Sequence, residues 1–137
     1  MTRPWRTRRF FRVLYESPVV LRVNRKHRAQ VRLAQKNLSA KIVDLSEGGC
    51  GVEGNFFVPK GTLLNIFMDR SLLQITGQPA IPKGHSRITA IVMSAVTRGV
   101  RSYRIGMQFL KVSRRDQALI ARFIKFHERR KDPRVEF

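Results

Sequence analysis

Apolar and polar residues alternate along most of this chain, and the period changes only near its end. Val19, Leu21 and Val23 alternate with Val20, Arg22 and Asn24. Ala29, Val31 and Leu33 alternate with Arg28, Gln30 and Arg32, and Leu38, Ala40 and Ile42 with Ser39, Lys41 and Val43. Period two turns one set of side chains to a core and the other to water, so each run predicts a half-buried strand. Gly48, Gly49 and Gly51, then Pro59-Lys60-Gly61, read as turn punctuation. Leu63 to Asp69 and Leu72 to Thr76 predict strands around a turn near Arg70-Ser71. Gln78 to Ser86, with Pro79 and Pro82, predicts a loop, and Arg87 to Val96 a longer strand. Tyr103, Ile105, Met107 and Phe109 alternate with Arg104, Gly106 and Gln108, the clearest strand pattern in the chain.

After that the period lengthens. Leu119, Ile120, Phe123, Ile124 and His127 share one helical stripe. Ser113 followed by Asp116 predicts a capping box, with Asp in place of the usual Glu. Arg129, Arg130 and Lys131 suit the negative end of a helix dipole, and Pro133 stops the helix. Short strands followed by one amphipathic helix predict a mainly β fold. A small closed barrel is its simplest form, because closure removes exposed strand edges. The helix would then cover a barrel face or mouth.

At 137 residues the chain is sized for one domain. Its net charge of +19 predicts attraction to nucleotides, nucleic acid, anionic lipid or an acidic protein face, without choosing among them. Residues 1–12 hold five arginines and no acid, which predicts a flexible basic segment that settles only when a partner neutralises it. Residues 13–131 are expected to form the barrel and helix, and 132–137 a tail. Cys50 is the only cysteine, so no internal disulfide can form, which fits a cytoplasmic location. His27, His85 and His127 are scattered and show no metal-ligand spacing. No run approaches the roughly 18 apolar residues of a membrane span, and the Arg-rich start lacks the apolar core of a secretory signal.

Two motifs carry candidate chemistry. Arg8-Arg9-Phe10-Phe11-Arg12 reads R-x-x-x-R, and Asp44-Leu45-Ser46-Glu47-Gly48-Gly49 reads D-x-S-x-x-G. An arginine fork donates two parallel hydrogen bonds to a phosphate or to the O6/N7 edge of guanine, and its flat face stacks on bases. In an extended chain Arg8 and Arg12 point to the same side. An Asp carboxylate accepts from the N1–H and N2–H edge of guanine. Ser46 is a short donor for a ligand oxygen or for neighbouring backbone, and Gly49 permits φ > 0 or close backbone approach. The same Asp44 and Ser46 would equally serve a plain turn between two strands.

Order and spacing of these motifs, with a later Gly106-Met107-Gln108-Phe109 segment and a closing helix, resemble the PilZ family, whose members bind cyclic di-GMP in bacteria. The resemblance covers roughly Thr7 to Phe126. It implies a six-stranded antiparallel β-barrel with a C-terminal α-helix. It carries ligand contacts onto Arg8, Arg12, Asp44, Ser46 and Gly49, with Arg9 as an added contact. Arg87, Arg98, Arg101 and Arg104 are accessory candidates for the far side of the pocket, and Trp5 for stacking on a guanine. The sequence departs from common versions in lacking acids before the arginines and in a long segment between Arg25 and Lys41.

The function implied is a cyclic di-GMP receptor that orders its N-terminal segment on ligand binding and so changes the surface shown to a protein partner with an acidic face. Two alternatives stand beside it: a basic barrel that binds single-stranded nucleic acid, and a degenerate PilZ protein acting only through protein contacts. No enzyme is expected. Ser46 has no neighbouring histidine in sequence, no paired carboxylates occur, and no cofactor is implied beyond the ligand.

Overall fold

The alternating runs close on one another. A computed structural model of the chain describes residues 13–24 and 37–129. Its strands are β1 (Val13–Val23), β2 (Leu38–Leu45), β3 (Gly49–Gly54), β4 (Leu63–Asp69), β5 (His85–Gly99) and β6 (Ser102–Lys111), followed by helix α1 (Arg114–Arg129). All pairings are antiparallel, and the strands form a closed barrel in the order β1-β2-β3-β6-β5-β4. This is the six-stranded barrel with a C-terminal helix that the resemblance implies.

The inward positions build the core. Leu21, Ile42, Val52, Leu64, Ile66, Ile88, Val92 and Ile105 are all essentially inaccessible to water. Burying each contributes about 1.5–3 kcal/mol relative to exposure. Register keeps the alternation intact across strands: Val20 lies opposite Phe67, and Phe67 opposite Arg87, all pointing outward. A one-residue slip would turn the whole apolar set to water.

Two sequence expectations are corrected. Gly48 to Gly51 was read as turn only, but Gly49–Gly54 is a full strand, wedged between β2 and β6. Leu72 to Thr76 is not a strand. The Asp69 side chain accepts from Ser71 N at 2.9 Å and folds Arg70–Leu73 into one 3-10 turn. That bond also lowers the Asp69 pKa, the backbone N–H of Ser71 being the largest cause. Leu73 and Ile75 then plug the core from a loop rather than from a ladder. Gln74 pins this loop, donating to the carbonyls of Ile75, Gln78 and Pro79 and accepting from Ile81 N. The predicted strand over Ala29 to Leu33, and the segments 1–12 and 132–137, lie outside the described residues.

α1 begins where Ser113 caps it, accepting from Asp116 N at 3.2 Å. The reciprocal half of the capping box is absent. The Asp116 carboxylate turns instead to Arg70, with Nε to Oδ1 at 2.8 Å and Nη2 to Oδ2 at 3.5 Å, and takes the Ser113 hydroxyl at 3.0 Å. Ile120, Phe123 and Ile124 are buried in the core, and His127 lies against the rings of Phe123 and Phe126. The helix therefore packs at the barrel end where β4 and β6 finish and β5 starts. No helix among the described residues is long and apolar enough to cross a membrane.

Candidate functional site

The turn from β2 to β3 stands at the same barrel end as α1. Ser46 closes it locally: its N–H donates to Gly49 O at 2.9 Å, and its Oγ accepts from Gly49 N at 3.1 Å and donates to Gly49 O at 3.2 Å. Gly48 O accepts from Phe109 N at 2.8 Å, tying the turn to β6. Of the two reasons offered for Gly49, close approach is the one realised. A Cβ there would lie 2.1 Å from Met107 O. A cleft of about 280 Å³ separates the turn from α1, lined by Glu47, Lys111, Gln117 and Ile120 among others.

A register irregularity between Ile42 and Asp44 sets Asp44 opposite Gly51 while Leu45 keeps its inward place opposite Cys50. Gly51 in turn lies opposite Gly106, and Gly106 opposite Ser94. One outward row thus reads Asp44, Gly51, Gly106, Ser94, with no side chain on its two middle members. A Cβ on Gly51 would lie 2.8 Å from Asp44 Oδ2 and 3.2 Å from Arg104 Nη2. A Cβ on Gly106 would lie 2.7 Å from Ser94 Oγ. The bare strip lets Arg104, on β6, reach across β3 and form an ion pair with Asp44 through Nη2 and Oδ2. Asp44 is buried, whereas the Arg104 side chain is 31% exposed. Beneath them, burial pushes the Cys50 thiol up to about 12, with the Asp44 charge adding to the effect.

The sequence matches the family model of the PilZ domain over residues 6–126. This chain belongs to the PilZ domain family. Comparison with curated protein sequences found no match. Among solved structures, this PilZ chain is similar to the inhibitor of motility MotI/DgrA of Bacillus subtilis, with a TM-score of 0.63 at 12% identity, over 91% of this chain and 53% of that one. It is similar to the PilZ domain of Escherichia coli YcgR, solved with c-di-GMP, with a TM-score of 0.57 at 24% identity, over 89% of this chain and 92% of that one. MrkH of K. pneumonia in its apo state gives a TM-score of 0.57 at 19% identity, over 89% and 53%. These likenesses are of fold. The chain spans about half the length of MotI/DgrA and of MrkH.

Within this PilZ barrel the candidate residues fall into three groups. Asp44 and Arg104 pair across β3, and Ser46 and Gly49 bond to each other in the adjoining β2–β3 turn. Arg87 stands on the opposite side of the closed barrel, over the Phe67 ring, and Arg98 and Arg101 are exposed at the far end of the β5–β6 hairpin. Trp5, Arg8, Arg9 and Arg12 lie outside the described residues. Phe56 and Phe57 separate: Phe56 is core, and Phe57 is half exposed, edge-on to Tyr103. Sequence reasoning missed Gly51 and Ser94. A glycine inside a strand is a signal for close approach by a ligand or backbone, and Gly51 carried it.

Proposed function

We propose that this PilZ domain is a cyclic di-GMP receptor module without catalytic activity, and that its ligand binds on the β2–β3–β6 face. The observation that carries the reading is the Asp44–Arg104 pair held over the bare Gly51–Gly106 strip. In the free protein Arg104 and Asp44 lie over Gly51; Arg104 swings outward on binding and leaves the glycine strip as a flat surface for a guanine. Its N1–H and N2–H edge needs a fixed carboxylate, which Asp44 offers. Arg104 adds a planar cation beside that carboxylate, suited to stacking on the base. Arg8, Arg9 and Arg12 supply the phosphate contacts, each charge-assisted bond contributing about 1.5–3 kcal/mol. Ser46 and Gly49 act by shaping the turn. Trp5 stacks on the second guanine.

In this reading the ligand's phosphates order residues 1–12 against the barrel, and the new surface is offered to an acidic protein partner in the cytoplasm. Two ligand charges leave most of the +19 for that partner. The YcgR domain solved with c-di-GMP supports the choice of ligand. Calorimetric titration at about 0.15 M salt with cyclic di-GMP, GMP and cyclic di-AMP tests it. Saturable binding of cyclic di-GMP alone, lost in Arg12→Ala, is expected. Equal binding of cyclic di-AMP, or none of cyclic di-GMP, overturns it.

A further inference from the structure

On the side of the barrel facing away from Asp44, two cations converge on one aromatic ring. Phe67 points outward from the middle of β4 and is only partly covered. Arg22, on β1, places its guanidinium 5.6 Å from the ring centroid, and Arg87, on β5, places its own at 5.9 Å. Neither forms an ion pair with a carboxylate among the described residues. Among the described residues, Arg22 Nε donates to the Asn37 amide oxygen at 3.0 Å. Val20, opposite Phe67 and 38% exposed, widens the apolar strip.

Two like charges beside one ring repel each other, so folding alone gains little by gathering them there. The arrangement suits a ligand that alternates flat rings with negative charges. Exposed aromatics on a β-barrel, flanked by arginines, let successive bases stack while phosphates meet the cations.

We propose that the β1–β4–β5 face, centred on Arg22, Phe67 and Arg87, is a second binding site that takes single-stranded nucleic acid. It is separate from the Asp44 face, because β5 and β2 stand on opposite sides of the closed barrel. Binding here tolerates sequence, because every base has a stacking face, and it falls steeply with salt. It does not depend on the cyclic di-GMP reading.

The test is fluorescence anisotropy of the full chain with labelled oligo-dT at low and moderate salt. Arg22→Gln with Arg87→Gln is compared with Arg122→Gln with Lys125→Gln, which removes the same charge from the exposed face of α1. Phe67→Leu keeps an apolar side chain and removes the ring. Melting curves establish that each variant is folded. The expected result is that the Arg22/Arg87 variant weakens oligo-dT about tenfold more than the α1 variant and lowers the salt slope by about 1.4. Phe67→Leu should weaken oligo-dT but not heparin, which has no bases. Bound oligo-dT should survive added cyclic di-GMP whether or not cyclic di-GMP itself binds. Equal loss in the two double variants would reduce the effect to general charge and overturn the site. Unchanged oligo-dT binding in Phe67→Leu, displacement by cyclic di-GMP, or no oligo-dT binding at low salt would overturn it as well.

Discussion

Two arginine–aspartate pairs bridge strands and helix in this barrel, and their surroundings set them apart. Asp116 accepts from two nitrogens of Arg70 and from the Ser113 hydroxyl, and Arg70 also donates to Lys83 O at 3.2 Å. The buried Ser86 hydroxyl faces the same carboxylate without a hydrogen bond of ordinary length. Burial alone would raise the Asp116 pKa, but the hydrogen bonds from Arg70 and Ser113 outweigh it and hold the pKa below the ordinary carboxylate value. The Arg70 side chain is 11% exposed. Asp44 meets Arg104 across a strip of glycine, and Arg104 is 31% exposed. The first pair joins α1 to the turn that follows β4, with its carboxylate buried and its arginine largely covered. In the second the carboxylate is as covered as Asp116, and only the arginine is open to water. The difference lies in the arginines, and the proposed site uses the exposed one.

The largest expected effect breaks the scaffold pair. Asp116→Ala removes the buried carboxylate that ties Arg70 to the Ser113 cap, which costs about 2–3 kcal/mol of stability in denaturant unfolding, while the barrel that does fold keeps its ligand affinity. The pH dependence follows from the direction of the shift. A lowered folded pKa means that the carboxylate stabilises the fold above the ordinary value near 4 and stops doing so as pH falls through the folded value. The stabilities of wild type and Asp116→Ala should therefore converge in acid and stay apart at pH 7.

Gly49→Ala comes next. The added methyl meets the Met107 carbonyl, which is backbone and cannot turn aside. A loss of about 1–3 kcal/mol is expected in urea unfolding, with ligand binding weakened because the motif turn must shift. Asp44→Asn should sharpen the contrast from the other side. It costs about 1.5–3 kcal/mol of cyclic di-GMP affinity by calorimetry, roughly 10–150-fold, and little stability, because Arg104 swings to water.

The smallest effect concerns Cys50. Its thiol, pushed up to about 12 by burial and then by Asp44, stays protonated when folded, while the unfolded thiol ionises near its ordinary value of about 9. Its contribution is fully present below about pH 9 and is lost as pH rises toward 12. At pH 8 a thiol reagent should leave Cys50 untouched in native protein and label it rapidly in denaturant.

How much of this was legible in the sequence depended on where each signal lived. β6 was readable because Tyr103, Ile105, Met107 and Phe109 alternate with Arg104, Gly106 and Gln108, β4 because its apolar run is bounded by turn residues, and the Ser113 cap because it lies within four residues of its partner. β3 was not. Glycines at 48, 49 and 51 read locally as turns, yet Gly49 and Gly51 are explained only by neighbours distant in sequence, Met107 O and the Asp44–Arg104 pair. Leu72 to Thr76 carried a strand pattern that the Asp69–Ser71 bond overrode. Asp44, Ser46 and Gly49 stood out as a motif, but Arg104 was one arginine among many. Its selection as the partner of Asp44 rests on the pairing of Glu53 with Arg104 and of Gly51 with Gly106. Ser94 had no local signal.

The most direct test of the central claim is an amide-resolved NMR titration of the full chain with cyclic di-GMP. The account predicts the largest shifts at Asp44, Gly51, Gly106 and Ser94, with the amides around Phe67 and Arg87 unmoved. Saturable shifts centred on the β1–β4–β5 face, with the Gly51–Gly106 strip silent, would contradict it.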